Sequence, residues 1–139
     1  MSSILLLEDD FVLTQDYTEA LEKVGHQVDF QPNATEAFAR CKAVQFDIAI
    51  VDIFISGMDG FVPDGGLSFI TKFRHYMGKD LITPKKMPII AISGGVSVST
   101  QFNPLGTALD IGANFSIAKP FEVTKLVETV DEALAQFGG

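Results

Sequence analysis

With 139 residues, 47% of them hydrophobic and 20% charged, the chain has enough material for one domain around one core and too few charges for disorder. A net charge of −8 argues against nonspecific binding to DNA or to anionic membranes; no apolar stretch approaches the ~20 residues of a membrane span, and the start, MSSILLLEDD, lacks the basic region of a secretory signal. Cys41 is the only cysteine, which excludes an internal disulfide and fits a reducing, cytoplasmic setting.

In chain order, Ile4–Leu7 is short and unbrokenly apolar, as expected of a strand covered on both faces. Phe11–Val24 follows as a helix, with Leu13, Tyr17, Ala20, Leu21 and Val24 on one stripe and Gly25 ending it. Gln27–Gln31 is a weaker strand. Asn33-Ala34-Thr35-Glu36 has the pattern of a capping box with Asn as the cap, and opens a helix carrying Ala37, Phe38 and Cys41. Cys41 lies on the apolar stripe of that helix and is expected in the core. Ile48–Val51 is the most apolar strand and runs straight into Asp52.

Ser56–Gly66 is turn-rich, with four glycines suited to positive φ and with Pro63. Leu67–Met77 is a helix with Leu67, Ile70, Phe73, Arg74 and Met77 at helical spacing. Gly78–Lys86 is a long polar connection, Pro88–Ile92 a strand, and Gly94–Phe102 a long Ser-rich loop. Asn103-Pro104 supplies a cap and first turn for a short helix ending at Gly112. Phe115–Ala118 is the last strand. Glu122–Phe137 is the last helix, striped by Val123, Leu126, Val127, Val130, Leu134 and Phe137.

Strict alternation of strands and helices predicts an α/β fold: a doubly wound, five-stranded parallel sheet with helices on both faces and right-handed crossovers. In the flavodoxin-like strand order 2-1-3-4-5, ligands bind outside the carboxyl ends of the strands, at the switch point between the first and third. Residues 1–139 are expected to form one domain.

Four chemically distinctive sites end apolar runs: Glu8-Asp9 after ILLL, Asp52 after IAIV, Ser93 after PIIAI, and Lys119-Pro120 after FSIA. Strand ends of one sheet bring them together across the whole chain. Three carboxylates in one place repel and call for a cation, and an amine beside them suggests that an anion joins. Taken singly, each has an ordinary explanation. Acids after a strand favour a helix N-terminus, Asp52 can form a turn, Ser93 before Gly-Gly is common loop chemistry, and Lys119 can be a solvated lysine. His26 and His75 have no ligand-like spacing, and Phe54 and Phe61 read as packing residues.

Together the four motifs, LLEDD, AIVDIFISGMDG, IIAISGG and GANFSIAKPF, resemble the receiver domain of two-component response regulators over nearly the whole chain. The resemblance implies that Asp52 accepts a phosphoryl group from a histidine kinase, a phosphotransfer protein or a small donor, forming an acyl phosphate. It implies Mg²⁺ as cofactor, held by Asp9, Asp52 and the backbone carbonyl of Phe54, with Glu8 acting through water. Lys119 and Ser93 would each bond a phosphoryl oxygen, and Pro120 would follow a cis peptide bond. The output would be altered binding of an unidentified protein; neither nucleic acid nor membrane is an expected partner.

Some positions depart from the usual pattern. Ser56 stands four residues after Asp52, where many receivers have Pro. The segments 56–66, 78–86 and 94–102 are long, which suggests an enlarged surface on the active-site side. Three residues before Lys119, where Tyr or Phe often acts as a rotor, stands Ser116, with Phe115 one place earlier and so on the opposite strand face. Two past Asp52 and two past Ser93 stand Phe54 and Gly95, neither able to orient a water, which implies slow self-dephosphorylation.

Other readings compete. The chain can be a stand-alone receiver or one domain of a larger regulator or hybrid kinase. An aspartate-nucleophile phosphatase would need a second Asp where Phe54 stands, and a flavin module would need a phosphate-cradling loop where Glu8-Asp9-Asp10 stands. No enzyme activity beyond self-phosphorylation and slow self-dephosphorylation is expected.

Overall fold

The computed structural model describes residues 2–53, 56–57, 60–61, 65–93 and 104–137, with backbone only at 56, 57, 60, 61, 104 and 105. In chain order the elements are β1 (Ser3–Leu7), α1 (Phe11–Lys23), β2 (Gln27–Gln31), α2 (Ala34–Ala43), β3 (Ile48–Asp52), β4 (Ser56–Gly57), β5 (Gly60–Phe61), α3 (Gly66–Arg74), β6 (Ile89–Ser93), α4 (Pro104–Ile111), β7 (Phe115–Ala118) and α5 (Val123–Phe137).

Five strands form one parallel sheet in the order β2-β1-β3-β6-β7. This is the flavodoxin-like arrangement, with the switch point between β1 and β3. Burial explains the order. Every residue of β3 and β6 is buried, whereas the edge strands β2 and β7 alternate or tolerate exposure. Alternate side chains serve two cores. Leu5, Leu7, Ala49, Val51, Ile89 and Ala91 point to the face covered by α2, α3 and α4. Ile4, Leu6, Ile48, Ile50, Ile90 and Ile92 point to the face covered by α1 and α5. Each such Leu, Ile or Val side chain contributes roughly 1.5–3 kcal/mol on burial, and each Ala less. A slip of one residue would exchange the two sets, so the register is firmly specified.

Local signals close the helices. Asp10 caps α1 by accepting from the Val12 and Leu13 amides, and Asn33 caps α2 by accepting from the Glu36 amide at 2.8 Å. Gly25, at φ 99°, ends α1 in a Schellman motif: its N–H donates to the Glu22 carbonyl, and that of His26 to the Leu21 carbonyl.

The expected helix to Met77 stops at Arg74. There the guanidinium leaves the helix surface to donate to the carbonyls of Gly112 (2.9 Å) and Lys85 (2.5 Å) and to the Asn114 Oδ1 (2.8 Å). The chain turns so that the Tyr76 ring meets Phe38 edge-on at 4.9 Å, and Met77, freed from the apolar stripe, is 90% exposed.

The following connection lies at the amino ends of the strands and not on the active-site side. The Ile82 and Thr83 amides donate to the Cys41 carbonyl, and the Thr83 hydroxyl donates to the Val44 carbonyl while accepting from the Phe46 amide. It thus closes over the α2–β3 turn. Within 56–66, β4 and β5 pair antiparallel, a small hairpin where only turns were expected. Gly65, at φ −99°, has no left-handed backbone, and among the described residues the positive-φ glycines are Gly25 and Gly112. The loop 94–102 lies outside the described residues. Cys41 is buried, and burial pushes its thiol up to about 12. Phe115 turns to the α5 side and meets Phe137 edge-on at 5.8 Å, while Ser116 is exposed.

Candidate functional site

The carboxyl ends of β1, β3, β6 and β7 deliver Glu8, Asp52, Ser93 and Lys119 to one place. Asp52 and Ser93 are the last residues of their strands, one place earlier than beyond the strand end, because the ladder continues there. Asp52 pairs with Ile92, the Ile53 amide donates to the Ile92 carbonyl at 2.8 Å, and the Lys119 amide donates to the Ser93 carbonyl at 2.8 Å. The Lys119–Pro120 bond is cis.

Lys119 is the hinge of the charge arrangement. Its Nζ donates to Glu8 Oε2 at 3.0 Å and to Asp52 Oδ2 at 2.9 Å. Burial by itself would lower this ammonium, but Asp52 and then Glu8 outweigh it and hold the lysine above its ordinary range. Glu8 is fully buried, and its Oε1 accepts from the Asp9 and Asp10 amides at 3.1 and 3.2 Å. Burial, followed by the nearby Asp52, pushes the Glu8 carboxyl up to about 7. Asp9 is half-buried and Ser93 is buried.

Glu8, Asp9 and Asp52 each offer a carboxylate oxygen, and these atoms all lie within 4.8 Å of one another. Three carboxylates against one ammonium leave a surplus of negative charge in a largely dehydrated place. Hard oxygen donors with that surplus suit a divalent cation such as Mg²⁺. Phe54 and Gly95, the fourth expected ligand and one of the two water-side positions, lie outside the described residues.

The structure therefore brings together Glu8, Asp9, Asp52, Ser93 and Lys119. It also shows neighbours that sequence reasoning did not assign to the site. Tyr17 of α1 stacks on Phe121, just past the cis bond, with ring centroids 5.6 Å apart. Burial pushes its phenol up to about 12, with Lys119 pulling the other way. Gly66, the first residue of α3, packs against the Asp52 peptide. The aromatic at 121 directly after Lys-Pro was a usable signal; nothing local announces Gly66. His75 is exposed, and His26 Nε2 lies 3.8 Å from Asp131 Oδ1; neither belongs to the site.

Among the described residues no helix is long and apolar enough to cross a membrane. Comparison with known proteins agrees with this architecture. The chain is 27% identical to the uncharacterized transcriptional regulatory protein YkoG of Bacillus subtilis (strain 168), over 97% of this chain and 52% of that protein. It is 30% identical to the transcriptional regulatory protein KdpE of Staphylococcus aureus, over 90% of this chain and 46% of that protein. It spans about half the length of the curated relatives it matches. A CheY-like response regulator receiver domain protein from Methanospirillum hungatei JF-1 shares the fold at TM-score 0.77 and 24% identity, covering 98% of this chain and 95% of that one. The response regulator receiver domain profile matches residues 4–131, which takes in all four strand-end motifs, and the chain belongs to that family, the receivers of two-component response regulators.

Proposed function

We propose that this receiver takes a phosphoryl group on Asp52 from a histidine kinase or phosphotransfer protein, with Mg²⁺ bound, and thereby changes its affinity for a downstream protein. The observation that carries the reading is the Lys119 ammonium held 2.9 Å from Asp52 and 3.0 Å from Glu8, beside a three-carboxylate cluster. Asp9 and Asp52 would hold the metal directly, Glu8 through water, with the Phe54 carbonyl as a further donor. The metal supplies charge neutralisation for the incoming phosphoryl group. Asp52 is the nucleophile. Lys119 holds the carboxylate now and a phosphoryl oxygen after transfer, and the Ser93 hydroxyl takes another oxygen.

The chain acts as a switch rather than an enzyme, with self-phosphorylation and slow self-dephosphorylation as its own chemistry. We read residues 1–139 as one receiver domain acting in the cytoplasm. As the matched relatives are about twice as long, the alternative is that it works as the receiver part of a larger regulator. Contact with nucleic acid would then fall to another domain, since the chain itself carries a net charge of −8. A phosphatase reading is disfavoured because Phe54 stands where a second Asp is needed. The test is intact mass after incubation with acetyl phosphate. A gain of ~80 Da that requires Mg²⁺ and vanishes in Asp52→Asn is expected. An equal gain in that variant refutes the assignment.

A further inference from the structure

Gly66 opens α3 immediately behind the phospho-accepting strand end. A Cβ placed on it would lie 2.2 Å from the Asp52 carbonyl oxygen, 2.8 Å from the Asp52 carbonyl carbon and 2.8 Å from Cγ1 of Val51. Contacts under 3.0 Å are not found for real Cβ atoms, so a side chain here needs a shift of at least about 0.8 Å. Neither partner yields cheaply. β3 is the central strand, laddered to β1 through Val51 and to β6 through Asp52. α3 is anchored by Phe69, Ile70 and Phe73, all fully buried. The residue is not needed for a left-handed backbone, which the structure has at Gly25 and Gly112. Nor is it the glycine of GMDG: Gly60 pairs with Gly57 in the β4–β5 hairpin.

We propose that Gly66 is a positioning residue for phosphoryl transfer: its bare backbone lets the first turn of α3 press on the Asp52 peptide and fixes the carboxylate against Lys119, Glu8 and Asp9. This rests on the reading of Asp52 as the phospho-acceptor. The start of α3 is thus seated on the strand end through Gly66, although the GMDG glycine itself is used elsewhere. Forcing the Asp52 peptide away by most of an ångström displaces a nucleophile whose alignment sets the rate. A misplacement of about 1 Å is commonly worth about 10²-fold.

The test compares Gly66→Ala with Gly25→Ala. Gly25 has φ 99° and nothing within 4 Å of an added Cβ, so its alanine strains the fold without touching the site. For both variants, thermal stability, Mg²⁺ affinity and the rate of phosphorylation by acetyl phosphate are measured. Gly66→Ala is expected to phosphorylate about 10²-fold more slowly and to bind Mg²⁺ more weakly. Gly25→Ala should lose stability yet keep both wild-type values. A Gly66→Ala rate within twofold of wild type, or losses in the two variants that simply track their melting temperatures, overturns the proposal. A wild-type measurement covers an alanine variant that does not fold. On Mg²⁺ titration the Gly66 amide resonance should shift in step with that of Ile53, and a stationary Gly66 overturns the proposal equally. Phosphorylation persisting in Asp52→Asn would sink the reading of the nucleophile, while the Mg²⁺ affinities and the Gly66 resonance still report on the contact.

Discussion

The two ends of the parallel sheet both bury polar side chains, and they satisfy them in opposite ways. At the amino ends the acceptors are neutral carbonyl, hydroxyl and amide oxygens, and every donor, the Arg74 guanidinium included, comes from within the fold. Thr83 serves Val44 and Phe46, and Asn114 Oδ1 accepts from both the Ile89 amide and Arg74. At the carboxyl ends a single ammonium faces Glu8 and Asp52, with Asp9 close enough to complete an acidic cluster. A satisfied buried network rigidifies, whereas surplus buried charge opposes folding until a ligand neutralises it. The amino end is built to hold, and the carboxyl end carries a surplus of negative charge that a divalent cation would neutralise.

The largest expected effect follows from removing Lys119, which bridges Glu8 and Asp52. Lys119→Met should destabilise the metal-free protein by about 3 kcal/mol at pH 7, because two buried carboxyls lose their partner. The loss should shrink at pH 5, where Glu8, pushed up to about 7, is already neutral. Urea unfolding at both pH values decides this; an equal loss at each would mean that the Glu8 charge is not the cause.

Next, Thr83→Val should cost about 2 kcal/mol by stranding the Val44 carbonyl and the Phe46 amide. Mg²⁺ affinity should stay at its wild-type value. Asp9→Asn should do the reverse, raising metal-free stability by up to about 1 kcal/mol through relief of repulsion while weakening Mg²⁺ binding. Matching signs for the two variants would erase the distinction between the ends.

The third prediction concerns pH. Glu8 is neutral below its ordinary 4.5 in both the folded and the unfolded chain, so its burial then has no charge cost. As pH rises through about 7 the buried group ionises after the unfolded one, and metal-free stability falls across that window. Mg²⁺ binding competes with the same proton, so affinity should drop about tenfold between pH 8 and pH 6. Calorimetric titration of wild type and Glu8→Gln checks it: the variant should lose this pH dependence.

The smallest effect separates two adjacent acids. Asp10→Ala should cost about 1 kcal/mol of stability, because Asp10 caps α1 through two amides rather than acting through the dipole alone. Asp9→Ala should weaken Mg²⁺ binding more than Asp10→Ala does. Equal metal affinities would show that the register of the acidic run is misassigned.

Much was legible in sequence because it depends on local chemistry. Short runs of Ile, Leu, Val and Ala bounded by helical stripes specify strands buried on both faces, and strand-end residues must then face one crevice. Asn33 and Gly25 are read as helix boundaries because a side-chain cap and a left-handed residue act within one turn. The end of α3 could not be read in this way. Helical spacing continues to Met77, but Arg74 finds acceptors at Lys85, Gly112 and Asn114, distant in sequence, and these draw it out of the helix pattern. The side of the sheet on which the connection 78–86 lies was likewise invisible. Its length is local, but its docking on Cys41, Val44 and Phe46 is not.

By itself, then, the sequence determined the order of the five sheet strands and five helices, the parallel sheet and which residues end the apolar runs, since all three follow from periodicity and from what ends each apolar run. Only the tertiary structure decided how the charges are shared. It alone brings Lys119 between Glu8 and Asp52, buries Glu8 enough to hold its proton near neutral pH, and leaves room at Gly66 for nothing larger than hydrogen. Those outcomes depend on ångström-scale distances between segments far apart in the chain, which no local preference encodes.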